Sequence, residues 1–65
     1  MGDWRMDRAP LHISRAYGIA SNFDRGALVT VGEIMDLIDY EADEIKAVVA
    51  AMPGGKVVGD SISIS

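Results

Sequence analysis

Six carboxylates fall within twelve residues, at Glu33, Asp36, Asp39, Glu41, Asp43 and Glu44, with no base among them. Acids at that density can gather a hard cation, form a solvated face, or meet a basic surface. The cation reading lacks its pattern, because the DxDxDG run of a calcium loop is absent. Pro53-Gly54-Gly55-Lys56 has the composition of a phosphate loop but not the GxxxxGK[ST] spacing, and it follows a helical pattern where that motif would open one. It reads as a helix stop. No Ser stands with a plausible base, and His12 reads as a surface or capping side chain without a catalytic partner. The chain has no Cys and a single His, so disulfides and thiolate metal sites are ruled out and a His site would need several carboxylates. A chain this small rarely encloses a pocket. The expectation is a non-enzymatic protein with no metal and no cofactor.

Charge is split along the chain. Residues 1–29 carry four Arg against three Asp, or +1; residues 30–65 carry two Lys against seven acids, or −5; the sum is the net −4. The acidic run serves either as a solvated face that keeps a small domain soluble, or as a patch that meets a basic protein surface and imitates the charge of nucleic acid.

The acids sit on two short helices joined by a tight turn. Thr30 followed by Glu33 matches a capping box. Val31, Ile34, Leu37 and Ile38 then form a narrow apolar stripe over a helix from Thr30 to Asp39. Ile45, Val48, Val49 and Met52 repeat at i, i+3, i+4 and i+7, which gives the next helix one apolar face. Asp43 and Glu44 lie in its first turn, where the helix dipole favours carboxylates. Pro53, Gly54 and Gly55 end it. Residues 40–42 are too few for a wandering loop, so the two apolar faces meet at a steep angle, as in a helix-turn-helix.

Ahead of that pair, residues 1–9 show no periodicity and are expected as a loose arm. Trp4 within it is either an anchor laid over the core or an aromatic contact at an interface. Arg5 and Arg8 beside it are candidate phosphate contacts. Pro10 is well placed to open a helix to about Phe23, since its missing amide is not needed in a first turn. Ile13, Tyr17, Ala20 and Phe23 would share its inner face, with Arg15 outside, and Gly18 weakens it unless close packing needs it. Asp24, Arg25 and Gly26 end this helix, and Ala27 to Thr30 is β-compatible. At the other end, Lys56 to Val58 and Ser61 to Ile64 flank Gly59-Asp60, a two-residue hairpin connection. Its register sets Val57 against Ile62, with Val57, Ile62 and Ile64 on one side.

The 65 residues bound one small domain, residues 10–65 behind the arm, that hides only ~60% of its unfolded surface. A homodimer or a covering partner would add stability. Apolar content of 49% with 25% charged residues is ordinary for a globular protein. No apolar run approaches the ~18 residues of a membrane span, and the first fifteen residues lack an apolar leader. The start Met-Gly-Asp-Trp-Arg-Met lacks the Ser or Thr of a myristoylation signal. A cytoplasmic location is expected.

The order helix, strand, helix, helix, strand, strand, with a capped helix from Thr30, the turn at 40–42, the next helix to Met52 and a hairpin at 56–63, resembles the winged helix-turn-helix family over residues 11–64. Ile34, Ile38, Tyr40, Ile45, Val49 and Met52 occupy that family's core positions. The resemblance implies a small α+β domain of winged-helix type. It also implies a third helix for the DNA major groove and a wing near the backbone, with Glu41, Ala42, Asp43, Lys46, Ala47 and Ala50 as the reading residues. The sequence departs from the family here. Base reading and counterion release need Arg, Lys, Asn or Gln, whereas this face offers acids, one Lys and small alanines.

The leading expectation is therefore a winged-helix interaction module that binds a protein partner through Glu33, Asp36, Asp39, Glu41, Asp43, Glu44, Lys46, Ala47 and Ala50. It would act as a regulator or inhibitor of a nucleic-acid-binding protein, and in size and charge it resembles a phage- or mobile-element-encoded inhibitor. The alternatives are a transcriptional regulator that binds DNA as a dimer through Arg5, Arg8, Arg15 and Arg25, and a structural or assembly protein.

Overall fold

Three helices and three short strands follow one another in the expected order. The computed structural model describes residues 4–65, with side chains from Arg8 onward. Helix α1 spans Trp4–Ala20, strand β1 Val29–Thr30, helix α2 Val31–Leu37, helix α3 Ala42–Ala51, strand β2 Gly55–Val58 and strand β3 Ser61–Ile64. The fold is α+β, with the helices packed on a three-stranded antiparallel sheet of order β1-β3-β2.

Helix α1 starts well before Pro10, so the segment expected as a loose arm is helical from Trp4 on, with Pro10 inside the helix. Proline there removes one hydrogen bond to the preceding turn. Burial carries the helix past it: Ala9, Ile13, Ala16 and Tyr17 are all buried and Ala20 packs beside them, a helical spacing of i, i+4, i+7, i+8 and i+11. Three of those residues are alanines, which add little to an apolar pattern. The side chains of Trp4 and Arg5 lie outside the described ones.

The helix ends earlier than expected. Ser21 donates to the Tyr17 carbonyl at 2.9 Å, Phe23 to the Gly18 carbonyl at 2.7 Å, and Asn22 and Phe23 take φ of 56° and 62°. Asn tolerates that left-handed turn, whereas Phe bears a cost of ~1–2 kcal/mol. Phe23, expected on the buried face, is consequently turned out and is 81% exposed. The loop that follows is tied to α1, because the Tyr17 hydroxyl donates to the Ala27 carbonyl at 2.6 Å.

Thr30 caps α2 as expected, its hydroxyl accepting the Glu33 amide at 3.4 Å. The stripe is only partly buried. Val31 and Ile34 are in the core, and Ile38 packs against it from an extended position that ends the helix before Asp39. Leu37 stands about a quarter-turn from the middle of that arc and is 47% exposed. In α3, Ile45, Val48 and Val49 are buried and Met52 packs beside them.

The hairpin has the expected register, with Val57 opposite Ile62, and Gly59 supplies the positive φ of 60° that its turn needs. β3 also pairs with β1, setting Val29 opposite Ile62. Ile62 is thus flanked on both sides and fully buried. Ile13, Ile34, Ile45, Val49 and Ile62 are the largest fully buried side chains, so every helix and the central strand contribute at least one, and α3 two. Among the described residues no helix is long and apolar enough to cross a membrane.

Candidate functional site

The six acids are distributed over α2, the turn and the start of α3. Glu33 and Asp36 are exposed on α2, Asp39 and Glu41 are exposed in the connection, and Asp43 and Glu44 open α3. They lie outward because their helices turn Val31, Ile34, Ile45 and Val49 inward, and alternate sides of an amphipathic helix cannot both be buried. Glu44 differs from its neighbours. It is half-buried, and its carboxylate accepts the Glu41 amide at 3.0 Å. That bond satisfies a donor with no partner inside the helix, so Glu44 serves α3 first. Among the described residues no three acidic or His side chains converge as a metal site would require.

Lys46, the one base on α3, points across to the hairpin tip. Its ammonium lies 2.9 Å from the Asp60 carboxylate. The hydrogen bond from Lys46, and then its charge, hold the Asp60 carboxyl below its ordinary value. A depressed folded value means that the pair favours the folded state at pH above the ordinary carboxyl range and that this contribution disappears as pH falls through the folded value. Asp60 is fully open to solvent, so the effect is local and salt-sensitive. In an NMR pH titration, Asp60 should show a midpoint below 3.8 that rises toward that value in Lys46→Met; an unchanged midpoint in the variant would mean that the pair does not hold in solution.

With Lys46 engaged, the outer face of α3 presents Asp43, Ala47, Ala50 and Ala51, all exposed. These lie at i, i+4, i+7 and i+8, a smooth strip with a negative head. Lys56 is exposed on β2. The arginines are elsewhere. Arg15 and Arg25 both line a groove at the C-terminal end of α1, while Arg8 is exposed nearer its start. Of the candidate phosphate contacts, the arginines with described side chains, Arg8, Arg15 and Arg25, are therefore not gathered around α3.

Two features lay beyond sequence reasoning. His12 is half-buried and its Nδ1 lies 3.1 Å from the Tyr40 hydroxyl, the rings 6.1 Å apart, so it links α1 to the α2–α3 connection instead of serving as a surface or capping side chain. The second is the exposed apolar set Ile19, Phe23, Met35 and Leu37. Only Asn22 and Asp24, turn residues on either side of Phe23, signalled any of it.

Comparison with protein-family models, with curated protein sequences and with solved structures returns no match.

Proposed function

We propose that this chain is a small, non-enzymatic winged-helix interaction module that captures a protein partner through the acidic side of α2, the connection and α3, and regulates or inhibits a nucleic-acid-binding protein. The element order and the antiparallel sheet of order β1-β3-β2, with its hairpin tip tied to α3, support the winged-helix reading. The single observation that carries the function is the Lys46–Asp60 pair at 2.9 Å. It engages the one base of α3 at the hairpin tip and leaves the rest of that face with carboxylates and alanines. Duplex DNA is a polyanion whose capture depends on cations that release its counterions, so this face is repelled by it. A basic protein surface is attracted to the same face, and alanines permit close approach.

The second reading is DNA binding by a dimer, favoured by the placement of Arg15 and Arg25 on one groove. Two measurements separate the readings. A mobility-shift assay across salt concentrations should show no duplex binding at low salt, whereas tight, steeply salt-dependent binding establishes the second reading. Capture of the partner from lysate of the source cells should be lost in Asp43→Asn/Ala47→Arg, which leaves the Glu44 cap and the core in place. Undiminished capture by that variant, with circular dichroism unchanged, removes α3 as the binding face.

A further inference from the structure

The end of α1 and the loop after it enclose a groove of about 560 Å³ whose walls include Arg15, Gly18, Ile19, Phe23, Arg25 and Ile64. Ile19 and Phe23 are exposed there, and the Phe23 ring lies 3.5 Å from the point where a side chain on Gly18 would begin. Among the described residues no acidic side chain lines the groove. A groove lined by apolar side chains and two arginines fits an apolar segment that carries carboxylates, because Arg takes a carboxylate through paired hydrogen bonds.

Such a segment is present on the same molecule. The exposed arc of α2, followed around the helix, runs Met35, Gly32, Asp36, Glu33, Leu37. Two acids stand at its centre and an apolar side chain at each edge. Both surfaces are open to solvent within one copy, so a contact between them runs from one copy to another. We propose that copies of this chain associate head to tail, with the α2 arc of one seated in the α1 groove of the next.

The contact is heterologous, joining two different patches, and therefore propagates instead of closing at a symmetric dimer. It is also small. A seven-residue helix is only ~10 Å long, which places the interface below the ~1,200 Å² of firm complexes, in the range of weak encounters; the expected Kd is on the order of 100 µM. The net charge of −4 on each copy opposes approach. At physiological ionic strength charges beyond ~8 Å are screened, and the local Arg–carboxylate contacts decide. The inference does not rest on the partner reading: it shares Glu33 and Asp36 with that face but leaves Asp43, Ala47 and Ala50 out of the contact, so the Asp43→Asn/Ala47→Arg variant should still self-associate.

Sedimentation equilibrium tests it. The weight-average mass of the wild-type chain should rise continuously from about 20 µM to about 1 mM, a range that spans the expected Kd. The groove variant Arg15→Glu/Arg25→Glu and the arc variant Glu33→Lys/Asp36→Lys should each bind their own kind at least ~10-fold more weakly. Mixed one to one, the neutral variants Arg15→Gln/Arg25→Gln and Glu33→Gln/Asp36→Asn retain one intact groove and one intact arc between them, and should form a dimer that grows no further. A wild-type chain that stays monomeric at the top concentration overturns the proposal, as does a wild-type mass that saturates at a dimer or a mixture that remains monomeric. If circular dichroism shows either charge reversal unfolded, Arg15→Gln/Arg25→Gln and Glu33→Gln/Asp36→Asn carry the same expectations.

Discussion

Gly55→Ala is expected to unfold this domain. A side chain at Gly55 would begin 2.0 Å from the Val49 carbonyl oxygen, with the Val49 carbonyl carbon at 3.0 Å. Backbone, unlike a side-chain tip, cannot swing aside. Gly55 is the first residue of β2, and its amide donates to the Met52 carbonyl at 3.1 Å, so the strand is fixed against the last turn of α3 from both sides. Relieving the clash means prising β2 from α3, at about 3 kcal/mol or more, the upper range for overpacking. A core of this size supplies little more than ~3–5 kcal/mol in total. Gly59→Ala is the control: Gly59 has φ of +60° but no atom within 4 Å of the added carbon, and should lose only the ~1–2 kcal/mol of a left-handed L residue. Far-UV circular dichroism and amide dispersion decide the matter. A cooperative melt of Gly55→Ala close to that of Gly59→Ala would show that α3 and β2 are not in the contact described.

Ile45→Ala should remove most of the stability that remains. Ile45 is fully buried near the start of α3, and truncation there costs about 2–5 kcal/mol through lost transfer and an unfilled cavity. Ile45→Val, which removes one carbon, should cost about 0.5–1.5 kcal/mol. Leu37→Ala supplies the contrast, since by apolar type alone it belongs to the same class. With Leu37 47% exposed, its truncation should stay within about 0.5 kcal/mol. Urea midpoints at constant slope would rank the three variants. A Leu37→Ala loss equal to that of Ile45→Ala would place Leu37 in the interior.

That contrast marks where sequence pattern stops being informative. Helix α3 was legible because Ile45, Val48, Val49 and Met52 define one face without ambiguity, and the hairpin because Gly59-Asp60 admits one register. Leu37 was misplaced because periodicity says which residues share a face, while the point at which Ile38 turns extended, a tertiary matter, says which of them the core reaches. The start of α1 was missed for a related reason. Proline is a strong local signal and alanine a weak one, so the buried Ala9 and Ala16 could not outweigh Pro10 on paper. Packing is not bound by that ranking.

At the candidate site the sequence located the acids and their exposure but not their engagements. Nothing in the spacing of Lys46 and Asp60 brings them together; the turn of the hairpin over α3 does so. The Glu41–Glu44 bond follows from helix geometry once the first turn is placed, and was passed over because both residues were read as surface charge. His12 and Tyr40, twenty-eight positions apart, meet only through the packing of α1 beside the helix pair.

The central position of β3 has a bearing on how the chain is made. β1 and β2 never touch each other; each finds its hydrogen-bonding partner in Ser61–Ile64. While the nascent polypeptide is still being extended toward residue 61, neither earlier strand has anything to zip onto, and the parts of α1 and α3 that pack on β3 wait uncovered. Sheet assembly is therefore a single late event triggered from the C-terminal side. A ribosome stalled before that stretch emerges holds helices without a sheet, a form in which proteases and chaperones have the most to grip.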